Sequence, residues 1–297
     1  MLITAPEPVN LSAIRTALPL ALLLLLSVAC APGRRGPGPG APCPGGYLLM
    51  TGNPDLATRD FCVARFEMKE RGGKAASRAA GKPWMQVSRD QAVALCAALG
   101  PGYALISNDE WQTIARDIEA VGANWSSGQP GSGSLNIGNF STELGGTIPD
   151  DPCATEGFPP RHPGCRRGDS PDFPRKRDHL LSSGEVIWDM GGNTGEWTST
   201  SVGEAVPGDF RGRPCSAPEP YRRHFGSAGS YPGRCDEDEN SLGLGYIEGS
   251  EGSVIFRGGS SGMEGGDWAT CPGVFYANTN SFWDASKPGP GFRCVRR

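Results

Sequence analysis

Histidine is scarce in this chain: three residues, His162, His179 and His224, among 297. No two of them are spaced i, i+4, which argues against a helix-borne histidine zinc site. A dominant charge sign is also lacking. The net charge is −4, so neither a nucleic-acid partner nor attraction to an anionic membrane surface is implied. No apolar run has the length of a comfortable membrane span; the longest, Leu18–Val28, holds five consecutive leucines. There is no P-loop and no dinucleotide fingerprint. Gly258-Gly-Ser-Ser-Gly262 fits the serine-hydrolase elbow in letters alone. That motif needs a helix after the serine and a later histidine, and no histidine follows His224.

Glycine and proline are abundant, 44 and 27 residues. That is too many for a helical bundle and predicts a loop-rich fold of short strands. The apolar run 18–28 reads as the core of a signal peptide spanning 1–29. It ends Ser-Val-Ala-Cys30, which resembles a bacterial lipoprotein box with Cys30 as the lipidated residue. Ordinary secretion and a retained anchor are the alternatives. Residues 30–42 then form a flexible tether, and 43–297 form the folded domain. The expected location is the bacterial cell envelope, periplasmic or surface-exposed, with membrane contact through the lipid anchor only. Nine further cysteines suit an oxidising compartment, and their odd number leaves one thiol over.

Two helices are predicted. The first begins at Ser88, with Gln91 completing a capping box, and runs to about Leu99 with Ala92, Leu95, Cys96 and Leu99 on one face. The second begins at Ser107, with Glu110 as box partner. Trp111, Ile114, Ala115, Ile118 and Val121 follow helical spacing, Trp111 as a core anchor, and Gly122 is the expected C′ stop. Short strands are expected at Tyr47–Met50, Phe61–Met68, Ser253–Arg257, Gly273–Ala277 and Gly291–Arg296. The stretches 125–180 and 201–252 lack periodicity. Proximity pairs Cys153 with Cys165 and Cys215 with Cys235 as staples across them. Asn124-Trp-Ser126 and Asn139-Phe-Ser141 are formal glycosylation sequons, and Arg175-Lys-Arg177 reads as a solvated charge cluster.

The densest signal is Gly184-Glu-Val-Ile-Trp-Asp-Met-Gly-Gly-Asn-Thr-Gly-Glu-Trp-Thr198. Two carboxylates, Asp189 and Glu196, flank a turn whose Gly and Asn tolerate positive φ and can aim carbonyls inward. Carboxylates with inward carbonyls are what Ca²⁺ requires; the alternative is a tight turn whose carboxylates bond to amides or a nearby arginine. This stretch resembles the D-M-x-G-N-x-x-E-W signature of the formylglycine-generating enzyme (sulfatase-modifying factor) family. Phe256-Arg-Gly-Gly-Ser260 and Gly291-Phe-Arg-Cys-Val295 match further motifs in order, and Ala104-Leu-Ile-Ser-Asn-Asp-Glu-Trp111 stands where the family has R-L-P-T-E-A-E-W.

The resemblance covers about residues 43–297 and implies a C-type-lectin-like α+β fold, loop-rich, with two helices and short, mainly antiparallel strands stapled by disulfides. It implies a Cys96–Cys294 disulfide; proximity adds Cys43–Cys62 and leaves Cys271 over. It implies a calcium set of the Asp189 side chain, the Gly192 and Thr194 carbonyls and the Glu196 side chain. The family's enzymes oxidise a substrate cysteine with a copper-binding cysteine pair just after G-G-S, yet 261–270 contains no cysteine. Copper is therefore not expected, and no catalytic residue is assigned. Between the matched ends, Met263, Trp268, Tyr276, Asn278, Asn280 and Trp283 have the composition of a binding surface, resembling the ligand-binding region of displayed lectin-fold proteins. The chain is therefore expected to be a binding or structural module with a protein or glycan ligand at the envelope; the alternative functions are an oxidase or another enzyme on this fold, and an assembly factor.

Overall fold

The structure is a computed structural model. It describes residues 42–138, 176–201, 210–229, 231, 242–249, 254–259, 272–279 and 290–297. Two units separate along the chain, Met1–Gly33 and Arg34–Arg297, and everything described belongs to the second. Cys30 and the signal and tether segments fall outside the described residues, apart from position 42.

The architecture is α+β. A four-stranded antiparallel sheet has the order β1 (Tyr47–Met50), β2 (Phe61–Ala64), β14 (Cys294–Arg296), β5 (Tyr103–Leu105). The C-terminal strand thus lies between strands from the start of the domain, with Val295 opposite both Val63 and Ala104. The expected strand 61–68 is broken. Arg65, Phe66 and Glu67 separate β2 from β3 (Met68–Arg71), which pairs with β4 (Lys74–Ser77) in its own hairpin. The expected strand 291–296 is likewise interrupted at Arg293, between β13 (Gly291–Phe292) and β14.

Both capping boxes form. Ser88 and Gln91 close the start of α1 (Arg89–Ala97), and Ser107 and Glu110 that of α2 (Asn108–Ala120). Helix α2 buries Trp111, Ile114, Ala115 and Ile118 in the main core, and the Trp111 indole N–H donates to the Val274 carbonyl at 2.8 Å. Gly122 is not a left-handed stop. Val121 ends α2 in extended backbone and Gly122 opens a 3₁₀ turn to Asn124. Two carbonyls of the last turn take side-chain donors, Ile118 O from Asn124 Nδ2 in addition to the Val121 amide and Glu119 O from Trp125 Nε1.

The second sheet has six very short strands in the order β13, β8 (Glu196–Trp197), β11 (Phe256–Arg257), β12 (Ala277–Asn278), β10 (Ile247–Glu248), β9 (Arg211–Gly212). β13 runs parallel to β8 and β10 to β12; the other pairs are antiparallel. A hairpin of β6 (Asp178–Leu180) with β7 (Val186–Trp188) leads into the Asp189 turn. A short third helix, α3 (Tyr221–Phe225), lies in the stretch expected to be irregular.

The polar stripe of α2 holds α3 and the chain that follows it. Asn108 Nδ2 donates to His224 O, Gln112 Nε2 to Gly226 O and Arg116 to Arg222 O. Glu119 accepts the amides of Ala228 and Gly229 and the Tyr231 hydroxyl. The buried Arg257 guanidinium completes this contact by donating to Asn108 Oδ1 at 2.6 Å and Gln112 Oε1 at 3.0 Å. Periodicity cannot reveal such a segment, because α2 mostly binds its backbone.

Two disulfides fix the frame. Cys43–Cys62 and Cys96–Cys294 span Cα–Cα distances of 5.6 and 5.5 Å, and both are the expected pairs. Cys215 is also disulfide-bonded. Cys153, Cys165, Cys235 and Cys271 lie outside the described residues, as do Asn139 and Arg175.

Candidate functional site

The Asp189–Glu196 turn is a buried cluster whose carboxylates pair with arginines. Asp189, Gly192 and Asn193 all have positive φ, at 59°, 68° and 60°, as the Gly-Asn composition predicts for two of them. Asp189 Oδ1 accepts from Arg177 Nε at 2.6 Å. Glu196 is fully buried and accepts from Arg293 at both oxygens, at 3.1 Å from Nε and 2.7 Å from a terminal nitrogen. The same guanidinium donates to the carbonyls of Ala64 and Trp188, each at 2.8 Å. Arg293 therefore ties β2, β7 and β8 together from the break between β13 and β14.

A third carboxylate enters from the chain before β3. Glu67 accepts from Asn193 Nδ2 at 2.5 Å and from the Thr194 amide at 3.3 Å. Beside it, Lys69 is buried and donates to Ala79 O at 3.0 Å. Three carboxylates and three cations (Lys69, Arg177, Arg293) thus share one buried region. Arg177 belongs to this cluster rather than to a solvated one. Burial places it beside Asp189 at 4 % exposure, where an unpaired charge would be costly.

These donors do not fit a calcium cage. Calcium needs carboxylate oxygens as ligands, but both Glu196 oxygens and one of Asp189 are already engaged by guanidinium groups. Among the described residues no group of three or more His, Cys, Asp or Glu is placed to hold a metal ion. The turn follows the arginine alternative, with the positive charge supplied covalently. The thermal midpoint is therefore expected to be the same in excess EDTA and in millimolar Ca²⁺. A clear rise with Ca²⁺, the signature of a ligand that binds only the folded state, would restore the calcium set of Asp189, Gly192, Thr194 and Glu196.

Electrostatics within the cluster are uneven. Burial holds the Glu67 carboxyl well above the ordinary carboxylate range, and Asp189 and Glu196 push it further up against the pull of Arg177 and Arg293. Burial also raises Glu196, with Arg293 opposing, and lowers the Lys69 ammonium, with Glu67 and Asp189 opposing. An acid whose pKa is raised on folding stabilises the fold below its unfolded value. That contribution is lost as pH rises through the folded value. Glu67→Gln removes this titration, so the variant should gain stability relative to the parent between about pH 5 and pH 8. Guanidinium midpoints of both proteins at the two pH values test it; a variant-minus-parent difference that stays constant or falls from pH 5 to pH 8 would rule out Glu67 as a neutral acid.

Of the residues expected to form a binding surface, two are described. Tyr276 and Asn278 are buried, at 3 % and 5 % exposure. β12 lies inside the six-stranded sheet, and Asn278 Nδ2 donates to Glu248 at 2.8 Å and to the Tyr276 hydroxyl at 3.3 Å. Both support the sheet. Met263, Trp268, Asn280 and Trp283 lie outside the described residues. Sequence reasoning missed Glu67, Lys69 and Arg293 as cluster members. A signal for two of them existed: Glu67 is a carboxylate within an apolar strand pattern, and Arg293 interrupts an apolar C-terminal strand. Asn124 is no exposed sequon either; its amide donates to Ile118 O and Leu180 O and accepts the Leu180 amide.

A scan against protein-family models found no match, and a search of curated proteins found none.

Proposed function

We propose that this chain is an exported, lipid-anchored domain, similar to the formylglycine-generating enzyme family, that acts as a binding or structural module without oxidase chemistry. The observation that carries this reading is the state of its cysteines. All five among the described residues are in disulfides, and 261–270, where the resemblance puts the catalytic pair, has no cysteine. A Cu(I) site of that type needs two soft thiolates. Disulfides belong to an oxidising environment, which agrees with export. Among the described residues no helix is long and apolar enough to cross a membrane. A protein or glycan ligand at the envelope would meet residues of 261–283 other than 272–279, which are buried.

The test uses residues 31–297 with copper, oxygen, a thiol reductant and a sulfatase-type peptide containing cysteine, read by mass spectrometry. No conversion to formylglycine is expected. Conversion above a Cys271→Ser control would make Cys271 catalytic and replace the module reading with an enzyme.

A further inference from the structure

The net charge of −4 conceals a local excess of the opposite sign. From residue 69 to 82 the chain carries Lys69, Arg71, Lys74, Arg78 and Lys82 against one carboxylate, Glu70. Lys69 is buried; the other four cations lie on the β3–β4 hairpin or just after it. At its tip Arg71 is directly opposite Lys74, and both are exposed. Like charges directly opposed across a strand pair destabilise it. The nearby carboxylate does not relieve them by an ion pair, because Glu70 accepts the Gly73 amide of the turn at 2.5 Å. Arg71, Lys74 and Arg78 form no ion pair among the described residues. At the base of the hairpin the half-buried Trp84 donates its amide to Met68 O at 2.8 Å.

The hairpin also sits where the tether enters the domain. Ser77, the last residue of β4, donates from Oγ to Gly46 O at 2.6 Å, three residues after Cys43. The tether itself adds Arg34 and Arg35. A basic patch adds electrostatic attraction to that of an acyl anchor, and each cation near an anionic surface strengthens it.

We propose that the β3–β4 hairpin, through Arg71, Lys74 and Arg78, is a contact surface for anionic phospholipid headgroups. It lies beside the root of the tether and turns this face of the domain toward the bilayer. Its location relative to the membrane rests on the lipid-anchor reading; its affinity for anionic lipid does not.

The experiment uses unlipidated residues 31–297, which contain the whole compact unit Arg34–Arg297, with vesicles of phosphatidylcholine alone or with about 30 % phosphatidylglycerol. Co-sedimentation should rise with the anionic lipid and fall when salt is raised from about 0.1 to 0.5 M. Combining Arg71→Gln, Lys74→Gln and Arg78→Gln should weaken partitioning roughly a hundredfold and leave the thermal midpoint unchanged or higher. Equal binding to neutral and anionic vesicles would overturn the proposal. So would a triple variant that partitions like the parent, which would assign binding to Arg34 and Arg35. The anchor reading is tested separately by the mass of the N-terminal peptide beginning at Cys30: absence of a diacylglyceryl group would refute the anchor and leave the vesicle result standing.

Discussion

Replacing Arg293 by methionine is expected to cost about 3–5 kcal/mol of folding stability, because it leaves Glu196 charged, fully buried and unpaired. The loss is not confined to one ion pair. The guanidinium also satisfies the Ala64 and Trp188 carbonyls, and a buried acceptor stripped of its donor adds about 1–3 kcal/mol. Removing both charges in Arg293→Met/Glu196→Leu should recover part of the loss, since no uncompensated ion then remains. Recovery should stay incomplete because the two carbonyls are still unsatisfied. Guanidinium denaturation of the parent, both single variants and the double variant closes the cycle. A single-variant cost below about 1 kcal/mol would mean that Glu196 takes up a proton at little expense, and the cluster would not depend on its arginine.

Opening the Cys96–Cys294 disulfide should have an effect of similar size. Its sequence separation is 198 residues, and the chain-entropy model gives about 5 kcal/mol for a loop of that length. Cys43–Cys62 closes 19 residues and should contribute about 3 kcal/mol. Paired serine substitutions at each disulfide, compared by denaturant midpoint, should therefore rank the long loop above the short one. The reverse order would show that the unfolded chain already holds its ends together, since residual structure weakens the entropic term. The long bridge also has a packing role: Cys96 and Cys294 are buried in the core cluster with Trp197 and Phe292.

The helices were legible because their signals are local. Ser88 with Gln91 and Ser107 with Glu110 announce two N-termini, and apolar spacing sets the faces. The disulfides at Cys96 and Cys43 were legible for different reasons, the first from family resemblance and the second from proximity. The charged cluster was not legible. Its partners are 12 residues apart in Arg177–Asp189, 97 in Arg293–Glu196 and 126 in Glu67–Asn193, and composition does not say which of many charges will meet after folding. The carboxylates of the turn could be picked out, but not the arginines that pair with them. Strand boundaries failed where side-chain contacts override local propensity, at Arg65 and again at Arg293.

Asn124 bears on how the protein can be produced. Its side chain bridges the end of α2 and β6 from a buried position, yet Asn124-Trp-Ser126 is a valid acceptor for oligosaccharide transfer. A eukaryotic secretory host modifies such sequons while the chain is still emerging, before the amide is enclosed. A glycan attached there would keep α2 from closing onto β6, and the product would be retained as misfolded material. Bacterial export, or Ser126→Ala in a eukaryotic host, which breaks the sequon at an exposed residue and keeps the Asn124 side chain, separates the folding of this domain from that modification.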